Sequence, residues 1–290
     1  MTDRTTFVHI SDTHIAPAGH AAYDTDTAQN LRNVAQRIRE MALDPACFVF
    51  TGDLSNHGEP ESYALLAEII EQEFRPFGVP VLLGLGNHDS RLPFRRIILG
   101  ENDADDESVQ HYYSTTVAGL KLIMLDSMVP GRVHGFLGAE QLDWLDAQLA
   151  EGAPGGQIVA LHHPSLPRGV PRPDDYLLED REAFGAVLAR HDVMAVLCGH
   201  SHVPTFGLFG GTLHVAAPAT AYQLDPSIRD GGRGLDGTGF NLCTVRDGRL
   251  MVNPVALPTM QRELYRHYKT FTAMPSADPA TEPAAVGASS

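Results

Sequence analysis

Short apolar runs that break off into Asp, Asn or His recur along this chain, and that recurrence constrains its fold more than any other feature. Phe7-Val8-His9-Ile10 leads into Asp12-Thr13-His14, Phe48-Val49-Phe50 into Gly52-Asp53, and Val79 to Leu85 into Gly86-Asn87-His88-Asp89. Later, Gln157 to Leu161 ends in His162-His163-Pro164, and Val193 to Cys198 in Gly199-His200-Ser201-His202. Runs of this length, bounded by turn residues, read as buried strands. Between them the spacing turns helical. Leu31, Val34, Ile38 and Met41 recur at three- and four-residue intervals within 26–43, and further helices are expected over 59–74, 138–150 and 179–191. Strands alternating with helices predict βαβ units, whose parallel strands bring their C-terminal ends to one edge.

Further strand signals lie at 120–125, 204–209, 212–217, 240–246 and 249–256. The last four follow one another with little helix and predict an antiparallel appendage. With 43% hydrophobic and 20% charged residues the composition is that of an ordinary globular protein, so one α/β sandwich domain is expected over 1–269. Residues 225–239, with Asp-Gly-Gly-Arg-Gly and Asp-Gly-Thr-Gly, read as a long loop. Residues 270–290 are rich in Ala, Pro, Ser and Thr and read as a disordered tail. No apolar run approaches the ~18–20 residues that span a membrane, and the N-terminus carries no signal-peptide core. Cys47, Cys198 and Cys243 are far apart with apolar flanks, as buried thiols of a reducing compartment would be. A cytoplasmic protein without a membrane partner is expected.

Charge excludes another class. Lys+Arg 21 against Asp+Glu 36 leaves a net −15, a surface that repels a phosphate backbone, so no nucleic acid polymer is expected as partner. Taken singly, a histidine at a strand end reads as an ordinary packed residue. Taken together, five strand ends delivering Asp, Asn and His to one edge gather polar groups that are costly to bury without a partner. Divalent cations supply that partner, and imidazole, carboxylate and carboxamide donors without thiolate suit Zn, Mn or Fe. Asp12 and His14 are two apart, as are His200 and His202, so in extended backbone each pair points to one side.

In order and spacing, the blocks Asp-x-His, Gly-Asp, Gly-Asn-His-Asp, His and Gly-His-x-His resemble the calcineurin-like metallophosphoesterases. The surrounding His-Ile-Ser-Asp-Thr-His and Phe-Thr-Gly-Asp-Leu are similar to bacterial class III cyclic nucleotide phosphodiesterases and the related glycerophosphodiesterases. The resemblance implies a four-layer α/β/β/α sandwich of two mixed sheets flanked by helices. It also implies two divalent or mixed-valence ions, Mn, Fe or Zn. Asp12, His14 and His202 would hold the first, Asn87, His162 and His200 the second, and Asp53 would bridge both. His88 would face the substrate, stabilise charge on the phosphate and protonate the leaving alkoxide, with Asp89 fixing its tautomer. Asn56, His134 and Tyr222, by their place in the blocks, are candidates to line the substrate pocket. His163 is expected to point away from the ions, and His9 to be a buried hydrogen-bonding residue.

The implied reaction is hydrolysis of a small phosphodiester by attack of a metal-bound hydroxide. Protein phosphatases of the superfamily carry an arginine in Gly-Asp-x-x-x-Arg-Gly, where this chain reads Gly-Asp-Leu-Ser-Asn-His-Gly. Without that cation to grip a dianionic monoester, a diester is favoured. Leu-Gly-Ala-Glu-Gln-Leu-Asp-Trp-Leu and Ala-Thr-Ala-Tyr-Gln-Leu-Asp are closer to the cyclic nucleotide branch. Expected substrates are therefore 3′,5′-cAMP or 2′,3′-cyclic forms, with a glycerophosphodiester or broad-specificity phosphodiesterase as the alternative. A non-catalytic scaffold on the same fold is the contrasting class, and the complete set of ligand positions speaks against it. The family resemblance implies a homodimer as the assembly.

Overall fold

Alternate side chains of the first strand already divide between two cores, which is the root of the architecture. The computed structural model describes residues 4–17, 19–20, 22, 24–168, 176–228 and 232–267. In chain order the strands are β1 (Arg4–Ile10), β2 (Phe48–Thr51), β3 (Val81–Gly84), β4 (Tyr113–Val117), β5 (Leu120–Met124), β6 (Gln157–Ala160) and β7 (Ala195–Cys198). They continue with β8 (Thr205–Phe209), β9 (Thr212–Ala216), β10 (Gln223–Leu224), β11 (Gly232–Leu235), β12 (Gly239–Arg246), β13 (Arg249–Ala256) and β14 (Glu263–His267). The α-helices are α1 (Thr27–Glu40), α2 (Pro60–Ile69), α3 (Arg91–Ile97), α4 (Ala139–Ala150) and α5 (Arg181–Leu188).

One sheet has the order β13-β12-β1-β2-β3, the other β4-β5-β6-β7-β9-β8. Both are mixed: β1-β2-β3 and β5-β6-β7-β9 run parallel, and the flanking strands run antiparallel. Phe7, Val49 and Cys243 of the first sheet meet Leu122, Ile158 and Leu197 of the second. The opposite face of the first sheet, with Val8 and Phe50, packs on Leu31 and Val34 of α1, Tyr63 of α2 and Phe94 of α3. Ile123, Val159 and Val196 of the second sheet pack on Leu145 of α4 and Phe184 of α5. Three apolar layers thus separate four layers of structure, and the expected α/β/β/α sandwich forms. Strands buried on both faces read as continuous apolar runs, which is why the sequence announces them.

Several expectations change in detail. The late strands are no separate appendage: β8 and β9 extend one sheet, β12 and β13 the other, because each closes an exposed edge. The expected long loop over 225–239 contains β11, which pairs with β10 and β14 in a small third sheet. Gly-rich composition hides it, since the ring of Tyr265 occupies the space that a side chain at Gly234 would need. The helix expected over 59–74 leaves α-geometry after Ile69, widens into a π-turn over Ile70–Phe74, and ends at Gly78 with φ +71°. The short α3 and the hairpin strand β4 carry no strong periodicity and emerge only in the structure. The proposed boundary at residue 269 and the tail that follows fall outside the described residues.

Candidate metal centre

β1, β2 and β3 of one sheet and β6 and β7 of the other end beside each other, and the polar residues that follow them converge. Asp12, His14, Asp53 and His202 form one buried group whose donor atoms lie within 4.8 Å of one another. His14 Nε2 is 3.1 Å from His202 Nε2 and 3.5 Å from Asp53 Oδ2, and His202 Nε2 is 3.4 Å from Asp12 Oδ1. Beside it, His162 Nε2 stands 3.2 Å from Asn87 Oδ1, 3.1 Å from His200 Nδ1 and 3.2 Å from the same Asp53 Oδ2. Asp53 therefore belongs to both groups, and all seven expected ligand positions are brought together.

Backbone conformation marks the same residues and overturns the extended backbone expected at 12–14 and 200–202. Asp12, His14, Asp53, His200 and His202 all have φ between 42° and 63°, the left-handed region that side-chain-bearing residues rarely occupy. Such conformations cost ~1–3 kcal/mol each and persist where the surroundings over-determine them, as at ligand clamps. Close approach adds to the constraint. A Cβ at Gly86 would collide with the Asp53 carboxylate and come within 2.8 Å of His162 Nε2. Gly52, with φ +94°, leaves no more room: a Cβ there would meet Gly86 N at 2.6 Å.

The donor set fits divalent ions. Imidazole nitrogens 3.1 Å apart with no apolar filler are poorly placed as neighbours in a dry site, but donors bound ~2.0–2.1 Å from one ion at right angles lie ~3 Å apart. Tautomers are set accordingly. His162 donates through Nδ1 to the Thr51 carbonyl at 2.7 Å, and His202 through Nδ1 to the Tyr222 carbonyl at 2.8 Å, so each turns Nε2 toward the cluster. Burial holds His14, His200 and His202 below the ordinary imidazole range, keeping them neutral bases. Burial also raises Asp12, whereas in Asp53 the effect of burial is overcome by the His162 ring and its hydrogen bond, and the carboxyl stays well below its usual range. Burial pulls His162 down, yet the Asp53 carboxylate outweighs it and lifts the ring to about 9. An arriving cation therefore has to displace a proton there.

The residues around the cluster are placed less uniformly. His88 donates through Nδ1 to the Asn56 carbonyl at 2.7 Å, and its ring lies 4.7 Å from that of His14. The role expected of Asp89 is corrected. Asp89 accepts from the amides of Leu54, Ser55 and Gly86 and from the Tyr63 hydroxyl, and so anchors the loop; the Asn56 carbonyl sets the His88 tautomer. A carboxylate holding four donors has no lone pair aimed at a ring on its far side. Tyr222 packs over the first group, its ring 4.3 Å from that of His202. Asn56 is buried beside His88, and its Oδ1 has no partner among the described residues. His134 pairs with Glu179 at 3.4 Å on the loop above His163. The expectation for His163 is corrected: Nδ1 lies 2.8 Å from Ser127 Oγ and the ring 4.7 Å from that of His200, and a ring nitrogen lies within 4.8 Å of donor atoms of His162 and His200.

Two features carried no sequence signal. Arg91, at the start of α3, clamps Asp126 with Nε–Oδ2 2.7 Å and Nη2–Oδ1 3.0 Å, both side chains buried. Glu107 accepts the amides of Arg91 and Leu92, capping the helix that follows His88 and Asp89. Paired charges 35 residues apart, like a cap contributed from outside the helix, are visible only once the chain is folded.

Comparison with known proteins agrees with this geometry. The family described as Calcineurin-like phosphoesterase matches residues 5–204, and the chain belongs to it. It is 39% identical to a "Probable cyclic nucleotide phosphodiesterase" of Rhodococcus erythropolis over 86% of this chain and 83% of the relative. A "cAMP/cGMP dual specificity phosphodiesterase" of Mycobacterium tuberculosis is 38% identical over 82% of this chain and 75% of its own. Among solved structures, a dimetal phosphatase from Danio rerio superposes with a TM-score of 0.60 at 17% identity, covering 88% of this chain and 99% of its own, a likeness of fold alone.

Proposed function

We propose that the chain is a two-metal-dependent phosphodiesterase that hydrolyses small phosphodiesters, cyclic nucleotides foremost. The observation that carries the reading is the Asp53 carboxylate shared by two groups of N and O donors at one strand edge. Asp12, His14 and His202 would hold one ion, Asn87, His162 and His200 the other, with Asp53 between them. Donors of this kind without thiolate suit Mn, Fe or Zn. Bound there, the ions would supply Lewis acidity and make water acidic enough to yield a nucleophile near neutral pH.

The chain's own residues do the rest. His88, whose Nδ1–H donates to the Asn56 carbonyl, would act as the imidazolium, with its second proton on Nε2 hydrogen-bonding a phosphoryl oxygen and passing to the departing alkoxide to leave the neutral ring. Asp89 holds the loop that carries Asn87 and His88 by four hydrogen bonds. Tyr222 and Asn56 border the cluster and are proposed to contact substrate; His134, tied to Glu179, lies farther out. The relatives named as cyclic nucleotide phosphodiesterases support the substrate class, and a net charge of −15 speaks against polynucleotides. Three buried free thiols suit the reducing cytoplasm, and no described helix is long and apolar enough to cross a membrane. Every proposed ligand comes from one chain, so pairing into a homodimer should leave activity per chain unchanged; light scattering across a dilution series with parallel assays reads this.

The deciding experiment is hydrolysis of 2′,3′- and 3′,5′-cAMP, glycerophosphocholine, a nitrophenyl diester and a nitrophenyl monoester by metal-stripped protein reloaded with manganese. Diester turnover that is abolished in Asp53→Ala supports the reading, and the ranking of kcat/KM assigns the branch. Turnover of the monoester alone refutes the substrate class. Full metal occupancy with no turnover of any of the five favours a scaffold.

A further inference from the structure

A buried hydrogen-bond chain outside the ligand set runs from β12 through β1 and β2 to His162. Asn241 Nδ2 lies 3.3 Å from His9 Nδ1, and His9 Nε2 lies 3.0 Å from Thr51 Oγ1. Thr51 donates its hydroxyl proton to Ser11 Oγ at 2.8 Å, and Ser11 donates to the Thr51 carbonyl at 3.4 Å. That same carbonyl accepts the Nδ1 proton of His162 at 2.7 Å. None of His9, Ser11, Thr51 and Asn241 exposes any surface.

The chain has one consistent direction. Burial pulls the His9 ring down to about 3, so it is neutral, with one donor and one acceptor. The Thr51 hydroxyl proton is committed to Ser11, so Thr51 accepts from His9 Nε2–H. His9 Nδ1 is then the bare nitrogen that accepts from the Asn241 amide. Hydrogen bonds aligned this way polarise one another in a site without water. They also tie strand ends together: Ser11 precedes Asp12, Thr51 stands two before Asp53, and the Ser11 hydroxyl fills the space where Gly199 lacks a side chain. Through the Thr51 carbonyl the chain reaches His162 of the second group, and Ser11 also touches the Asp12 carboxylate of the first; His202 of the first is oriented separately by the Tyr222 carbonyl.

We infer that His9 and Thr51 are positioning residues that orient His162 and thereby set the affinity of the second ion position relative to the first. The inference rests on the two-metal reading above. Its test is stepwise titration of the metal-stripped full chain with Co(II), following the two binding steps by absorption and mass spectrometry of the native protein. Thr51→Val keeps the shape and the carbonyl but removes the hydroxyl, and His9→Leu removes the ring donors. Thr51→Ser and His9→Gln keep a donor at the required atom. The expected result is an affinity reduced roughly 10- to 100-fold at one of the two steps in Thr51→Val and His9→Leu, with a clearly smaller change at the other and the two conservative variants near wild type. Equal loss at both steps, or no loss in the Val and Leu variants, overturns the assignment and leaves a merely structural role. A wild type that takes up a single ion refutes the two-metal reading instead. The inference is then decided by ring-nitrogen NMR of the metal-free protein, where Thr51→Val and His9→Leu must shift the His162 Nδ1–H resonance while Thr51→Ser does not; an unchanged resonance overturns it.

Discussion

Replacing Arg91 by Met tests how the helix after His88 and Asp89 is held. The guanidinium spans Asp126 with bonds of 2.7 and 3.0 Å and reaches the Met128 carbonyl at 2.7 Å, with only 3% of the residue exposed. Methionine fills most of the volume, so the cavity contribution is small and the loss is electrostatic. Asp126 would keep the amides of His111 and Met128, at 2.8 and 3.0 Å, but lose its only ion-pair partner among the described residues. Removing one partner of a buried pair costs ~3–5 kcal/mol. For a chain of this size ~1 kcal/mol shifts Tm by roughly 2–4 °C, giving a fall of roughly 6–20 °C. The double variant Arg91→Met/Asp126→Asn removes the stranded charge and keeps an oxygen for one of the two amides, which bind different carboxylate oxygens, and should recover a third or more of that fall. Calorimetry and urea unfolding of wild type and the three variants measure the cycle. A single variant within 2 °C of wild type, or a double variant less stable than Arg91→Met, would falsify the view that a desolvated charge dominates.

Other outcomes follow from the same geometry. Gly86→Ala places a Cβ against the Asp53 carboxylate, so metal content by elemental analysis should fall below half of wild type with activity lost in parallel; normal content would show that the β3 turn can yield. His88→Ala should lower hydrolysis of cyclic nucleotides by roughly 10²–10⁴ with metal content intact, and that of a nitrophenyl diester far less, since nitrophenolate departs unprotonated; equal losses would argue against proton donation. His214, buried between Phe184 and Phe209, is lowered to about 4 by burial. The unfolded chain takes up that proton below about 6.5, so this contribution to stability is complete above 6.5 and is lost as pH falls toward 4. Stability measured at pH 7 and pH 4.5 should differ by roughly 2.5 kcal/mol less in His214→Phe than in wild type, and an unchanged difference would place the acid sensitivity elsewhere.

How much of this was legible in the sequence depends on the range of the interaction. Strands buried on both faces write themselves as apolar runs, and ligand pairs such as Asp12/His14 and His200/His202 are local in sequence, so the central sheets and the seven candidate ligands were readable. The left-handed φ of five of them was not, because tertiary contacts impose it against local preference. Asp89 was misread for a related reason: adjacency to His88 suggested an orienting partner, but the loop turns the carboxylate inward onto backbone amides. The Arg91–Asp126 pair, the Glu107 cap and the Gly232–Leu235 strand all depend on partners outside their own element, which local patterning does not pair.

The shared centre draws Asp12, Asp53 and Asn87 from one sheet and His162, His200 and His202 from the other, and His14 and His202 meet across 188 residues. A chain emerging from the ribosome therefore has no complete coordination site until its first two hundred residues are out and both sheets have docked. Metal capture at the proposed centre would in this sense be a late checkpoint of tertiary assembly rather than a seed for it. Truncated or misdocked chains should stay metal-poor, and the holo state should be a selective marker of correctly finished molecules.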